Sequence, residues 1–238
     1  MPSAIKIALN FLATENEPTE KVKYPRTPHL PWSPGATSDD KMLKNIGHFL
    51  EMDIVATEKM DGENTTITFD YTHARSLDSV NHPSRHWLKS MWMKKRFDLP
   101  KGLRIHGENL YAKHSIKYEE LPSYFIVFAV SEGENFLCWD ETVEWCQLLD
   151  LHHAPILYRG KFDEKLIKDI YSGKSKFGGS QEGYVIRNIK SFPINKFGEN
   201  VAKFVRTGHV QTDQHWMTQK IEVNKLKVDV PGELNAQP

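Results

Sequence analysis

Cysteine is nearly missing from this chain of 238 residues: Cys138 and Cys146 are the only two. Two thiols without paired spacing give neither a disulfide framework nor a zinc site, and they fit a reducing compartment. An excess of charge is missing too, because 31 basic residues face 31 acidic ones. A nucleic-acid partner is therefore not advertised by total charge and would have to be held by local patches. No stretch approaches the roughly 18 apolar residues of a membrane span. Residues 1–10 lack the apolar run and cleavage signal of a secretory peptide. The expectation is a soluble, cytoplasmic protein. His152, His153, His209 and His215 lack metal-ligand spacing. Asn64-Thr65-Thr66 matches a glycosylation acceptor without the secretory context it needs. Gly173-Lys174-Ser175 is not a phosphate-binding loop, since Lys168 stands where the first glycine belongs.

What is present is ordinary for a globular enzyme: 39% hydrophobic and 26% charged residues, ample for one core. The length suggests a single large domain, placed at 1–220, with 221–238 as a C-terminal tail. Residues 4–13 alternate loosely and read as a first strand. Residues 15–40 are rich in Pro, Ser, Thr and charge, with four prolines between Pro25 and Pro34. Helix and central strand are excluded there. Tyr24, Leu30 and Trp32 leave two readings, a flexible linker or an ordered loop packed on the domain near a ligand. Ser38-Asp39-Asp40, followed by Met42, Leu43, Ile46 and Phe49, predicts a capped helix to about Leu50.

The pattern then turns to strands around Lys59. Residues 52–56 are short and largely apolar, and 65–69 alternate with β-branched residues. Between them, Glu58-Lys59-Met60-Asp61-Gly62-Glu63-Asn64 puts a lysine at the mouth of a sheet. Fewer than about one lysine in a thousand is neutral at pH 7 with an ordinary pKa. Lysine nucleophiles therefore need burial or nearby cations.

Further along, Trp87, Leu88, Met91 and Trp92 share one helical face, with Lys89 and Lys94 to Arg96 outside it. That helix has either an ordinary solvated side or a phosphate-binding edge. Residues 103–110 read as a strand ending in a turn, and 124–130 as the most strand-like run in the chain. Helices are expected over 140–150 and 162–172, with a short strand at 155–158 between them. Strands follow at 181–187, starting with Glu182, and at 200–206, ending in Arg206. The segment 211–225 is polar and partly helical.

In chain order the sequence offers Lys59-x-Asp61-Gly62, Arg75-Ser76, Gly107-Glu108, Phe128, Glu182-Gly183 and Lys203. This succession resembles the nucleotidyl motifs of covalent nucleotidyltransferases. Within them it is most similar to ATP-dependent RNA ligases of the phage and viral type. Glu58 before the lysine, Asn64 after the glycine, and Gly107-Glu108-Asn109-Leu110 favour that group. The resemblance covers residues 50–206. It implies an α+β, ATP-grasp-like ligase domain: antiparallel sheets flanked by helices, with the nucleotide between them.

The resemblance also implies roles. Lys59 would attack the α-phosphorus of ATP to give lysyl-AMP. AMP would pass to a 5′-phosphate end, and a 3′-hydroxyl would displace it. Glu58, Asp61, Gly62 and Asn64 would surround the nucleotide, Arg75 would contact phosphate, and Phe128 would stack on adenine, though Phe125 shares its strand. Glu108 would meet ribose or metal-bound water, and Glu182 would bind hydrated Mg²⁺ or Mn²⁺. Lys203 would neutralise the α-phosphate. Ligases often carry Lys-x-Lys in this last motif. Here Val201 and Val205 flank Lys203, and Arg206 would supply the second charge. Lys203 and a metal near Glu182 would help depress the pKa of Lys59. The expected partners are RNA ends, on a monomer. Only residues 204–238 follow Lys203, fewer than the roughly 50 of a small domain, which argues against a capping enzyme or a DNA ligase with its oligonucleotide-binding module. A minimal nick-sealing DNA ligase and a non-catalytic nucleic-acid-binding protein are the competing readings.

Overall fold

The computed structural model describes residues 21–77, 81–208 and 220–228. The strand expected at 4–13, His209, His215 and the segment 211–219 lie outside these described residues. Eleven strands are found among them: β1 (Asp53–Lys59), β2 (Glu63–Ile67), β3 (Thr72–Ala74), β4 (Leu103–Asn109), β5 (Phe125–Glu132), β6 (Asn135–Phe136), β7 (His152–His153), β8 (Ile156–Lys161), β9 (Gly183–Asn188), β10 (Phe192–Pro193) and β11 (Val201–Val205). The helices are α1 (His86–Lys95), α2 (Trp139–Leu148), α3 (Glu164–Asp169) and the single turn α4 (Phe197–Asn200). The expected α+β architecture of antiparallel sheets flanked by helices is what forms. A four-stranded sheet runs β11-β9-β1-β8, and a second runs β10-β6-β5-β4-β2-β3. All pairs are antiparallel except β7, which joins β5 in parallel.

Alternation along the strands explains how the sheets bury their faces. In β1, Ile54 and Ala56 join Tyr184 and Ile186 of β9 and Ala202 of β11 in a core covered by Ile167 of α3. The alternate residues Val55, Thr57 and Lys59 pair with Arg187, Val185 and Gly183. By the period-two rule they point to the other face. The second sheet packs Ile67, Ile105 and Val127 against Leu88 of α1 and Cys146 of α2. Its opposite face turns toward the first sheet, where Tyr24, Phe136, Phe192, Phe197 and Val201 form a shared aromatic core. The tight turn Met60–Gly62 carries the chain from one sheet to the other. Gly62 is required there, because a β-carbon would sit 2.6 Å from the Asn109 carbonyl oxygen.

Three stretches depart from their sequence patterns. Residues 38–50 hold only a 3-10 turn (Gly47–Phe49) rather than a capped helix. The backbone of His29 takes up Lys41 and Leu43 in extended pairing, and Asp40 accepts from Thr37 instead of capping a helix. Of the Pro-rich stretch, residues 21–40 lie along the four-stranded sheet. Leu30 is fully buried, its N–H donates to the Lys203 carbonyl, and Trp32 donates to the Tyr184 hydroxyl. Residues 221–228, expected as tail, instead bridge to Ala112 and Leu121, and Asn224 is buried with its side chain bonded to Tyr118 and Leu110.

Candidate active site

Between the facing sheets lies a cavity of about 200 Å³. Seven of the residues singled out by sequence border it: Glu58, Lys59, Asn64, Arg75, Glu108, Phe128 and Lys203. They come from six places in the chain. Lys59 ends β1 and lies opposite Gly183 of β9. Gly183 has to be glycine, because a β-carbon would collide with the Phe204 carbonyl of β11. That close approach sets Glu182 beside Lys59, with Lys59 Nζ 2.7 Å from Glu182 Oε2. Asn64 and Glu108 are direct cross-strand partners on β2 and β4. The Arg75 N–H donates to the Asn64 carbonyl. Lys203 is 3.7 Å from Asp40, which also lies 3.4 Å from His29.

Three acids, Glu182, Glu108 and Asp61, crowd the Lys59 amine. Burial opposes the charge of Lys59, but Glu182, Glu108 and Asp61 outweigh it and hold the amine above the usual lysine range. The lowering expected from Lys203 and a metal near Glu182 is opposed by these carboxylates, which favour the ammonium. The acids carry the cost. Burial lifts Glu108 to about 8 and Glu182 to about 7, against the opposing pull of Lys59. Lys203 is lowered by burial and by the neighbouring charge of Lys59.

Three predicted contacts sit differently from expectation. Asp61 does not turn to the cavity. Its carboxylate accepts from the Ser115 and Ile116 N–H groups and anchors the turn behind Lys59. Arg206 lies beyond the end of β11 and donates to the Thr207 and Gly208 carbonyls of its own turn, so it does not replace the missing second lysine. Its backbone N–H instead holds the Glu182 carbonyl. Period-two alternation also takes Glu58 off the face that carries Thr57 and Lys59. Its Oε2 accepts from the Lys176 N–H, while its buried Oε1 and the buried Oδ1 of Asn64 find no partner.

Two further residues border the cavity: Tyr24, from the Pro-rich stretch for which an ordered loop near a ligand was one reading, and Arg187, which carried no functional reading in the sequence. Tyr24 packs edge-on against Phe128, with ring centroids 5.1 Å apart. Arg187 is buried, and its guanidinium lies over Trp139 and Phe192 at 5.8 and 5.3 Å and donates to the Leu137 carbonyl. Burial pushes it down to about 10. It forms no ion pair with a carboxylate among the described residues. An inward arginine alternating with Val185 on a strand was the available signal.

A family profile described as RNA ligase matches residues 52–205. The chain belongs to the RNA ligase family. It is similar to two solved structures of a Naegleria gruberi RNA ligase, both alanine variants. One, with ATP and Mn, is 16% identical, covers 81% of this chain and 62% of its own, and has a TM-score of 0.51. The other, with AMP and Mn, is 16% identical, covers 79% and 62%, and has a TM-score of 0.50. At this identity the likeness speaks for the fold, and the chain spans less than two thirds of those ligases' length. No curated protein matches the sequence. No helix among the described residues is long and apolar enough to cross a membrane.

The residues also fit a hydrated divalent cation. No group of three or more His, Cys, Asp or Glu side chains forms a metal cage among the described residues. Mg²⁺ ordinarily needs only one or two carboxylates, completed by phosphate oxygens and water. Glu108 and Glu182, each raised in pKa by burial and Glu108 also by the charge of Glu182, are a two-carboxylate set of that kind.

Proposed function

We propose that this protein is an ATP-dependent RNA ligase that joins 5′-phosphate and 3′-hydroxyl ends through a covalent lysyl-AMP. The observation that carries this reading is the Lys59–Glu182 pair, 2.7 Å apart in the cavity between the sheets. Lys59 Nζ forms a bond to the α-phosphorus of ATP, the bond from that phosphorus to the bridging oxygen breaks, and pyrophosphate leaves. The amine has to lose a proton first. Glu182, whose Oε2 lies 2.7 Å from Nζ, is the group placed to take it. Lys203 and Arg75 supply positive charge where charge builds on the phosphate in the transition state. Phe128 offers a ring face to adenine.

Glu108 and Glu182 would hold Mg²⁺ or Mn²⁺, which when bound neutralises phosphate charge. With AMP transferred to a 5′-phosphate end, a 3′-hydroxyl displaces AMP and seals the strand.

The test is incubation with ATP labelled at the α-phosphate, followed by denaturing electrophoresis. Label is expected to stay on the native chain and to be absent from Lys59→Ala. A fully labelled Lys59→Ala chain overturns the nucleophile. Label from GTP alone, or none from either nucleotide, overturns the ligase reading. Supplying RNA and DNA ends to the labelled protein then separates RNA joining from DNA nick sealing.

A further inference from the structure

The exposed side of α1 repeats at helical spacing. His86, Lys89, Ser90, Met93, Lys94 and Phe97 are all exposed, whereas Leu88 is buried and Trp87, Met91 and Trp92 pack on the core. A solvated face usually mixes both signs of charge. This one does not. Residues 85–101 hold six lysines or arginines and one acid, Asp98, in a chain whose total charge is zero. Arg85 is neutralised by Glu63, and Lys95 is turned to the Leu149 carbonyl and Asp150. Lys89, Lys94, Arg96 and Lys101 form no ion pair among the described residues.

The cations are interleaved with rings. The Arg96 guanidinium lies 4.7 Å from the Trp92 ring, 5.2 Å from Phe97 and 5.3 Å from Phe69. Phe97 is itself 65% exposed and Met93 54%. Large apolar groups left in water beside uncompensated cations suit a ligand that is anionic and carries flat apolar faces, which describes a nucleic-acid strand.

The placement is as informative as the composition. At its start, Arg85 grips Glu63, the neighbour of cavity residue Asn64, and the Ser84 carbonyl accepts from Asn109, the neighbour of Glu108. At its end, Trp92 donates to the Thr68 carbonyl just past β2. The helix therefore runs along β2 from the cavity rim outward, over a length on the order of 15 Å.

We propose that this face of α1 together with the 3-10 turn after it, from His86 to Phe97, is a track that binds single-stranded RNA leading to the catalytic cavity. Lys89 and Lys94 hold phosphates, and Phe97, braced by Arg96, stacks on a base. The identity of the ligand rests on the ligase reading; the track itself does not.

The experiment measures binding of a 5′-phosphorylated, fluorescent oligouridylate to the full chain across a salt series, with adenylylation measured on the same preparations. Lys89→Ala with Lys94→Ala should flatten the log–log salt slope by about 1.4, two phosphate contacts at about 0.7 each. Phe97→Ala should weaken binding about tenfold at fixed salt, as loss of one stacked base does. A control pair on other exposed lysines, Lys44→Ala with Lys165→Ala, should change neither. Adenylylation should be unchanged in all three. Equal slopes and affinities for the track and control variants overturn the track. So does a Phe97→Ala chain that changes only its sedimentation, which would make the face a contact between copies. If the native chain takes no label from ATP, the ligase reading falls, while the binding series still decides the track.

Discussion

Strand β4 carries two buried polar side chains two residues apart, and the fold treats them in opposite ways. His106 is bonded on both ring nitrogens, to the Thr66 hydroxyl at 2.9 Å and the Ser131 hydroxyl at 2.8 Å. It is neutral, with burial and then Arg104 pushing it down to about 3. Every partner is uncharged and satisfied, so the cluster specifies strand register and asks for nothing more. Glu108 stands among Lys59, Glu182 and Asp61, three acids sharing one amine. Such a cluster is unsettled until something enters. The difference separates a polar group that builds the fold from one held ready for a ligand, and it can be tested from both sides.

The largest effect is expected on the ligand side. Glu182→Gln keeps the shape but removes the carboxylate that faces Lys59 Nζ. Formation of the lysyl adduct should slow by about 10²–10⁴-fold, the range for loss of a positioned acid or base. The thermal midpoint should hold or rise. Single-turnover labelling with calorimetry reads both, and a Glu182→Gln chain that labels normally breaks the assignment of this cluster to chemistry.

On the structural side, His106→Ala should cost about 3 kcal/mol, combining a cavity with two buried hydroxyls left without a partner. The fraction that folds should still take label from ATP. The pH dependence carries its own sign. The unfolded histidine gains a proton below about 6.5, whereas the folded one resists until about 3. Native stability therefore falls as pH drops through that window, by about 1.4 kcal/mol per pH unit for this residue. Denaturant midpoints at pH 7 and pH 5 should differ less in His106→Ala than in the native chain.

Much of this site could be read from sequence because its residues follow one another in the order of the RNA-ligase motifs they resemble. The short runs around Lys59, Glu108, Glu182 and Lys203 read as strands because alternation is a local signal, while their roles came from the resemblance. What could not be read depends on distant partners. The Asp40 pattern matches a helix cap, yet residues 38–50 are claimed by His29, an extended neighbour across the Pro-rich turn. Asn224 looked like tail because its partners, Tyr118 and Leu110, are more than a hundred residues away. Arg187 alternates with Val185 like any strand residue, and only the closing of the two sheets reveals that both face the cavity. The charge on Lys59 could not be read for the same reason. The motif names the lysine, but its proton depends on how many carboxylates the fold brings around it.

Glu108→Gln is expected to give the smallest shift and bears most directly on the contrast with His106. Glutamine has nearly the shape of a protonated glutamate, so it can fill the same space opposite Asn64 without a charge to desolvate. In the unfolded chain Glu108 ionises near its ordinary value of 4.5, while in the fold it holds its proton to about 8. The folded state binds the extra proton between those values, so native stability declines as pH rises through the window. Glutamine has no such decline. The variant should therefore match the native chain near pH 5 and exceed it at pH 8, while its labelling by ATP falls. Denaturant titrations at the two pH values, beside the labelling assay, supply the check. A Glu108→Gln chain that is less stable at pH 8 than the native one would place Glu108 with His106, as a residue that holds the sheets together.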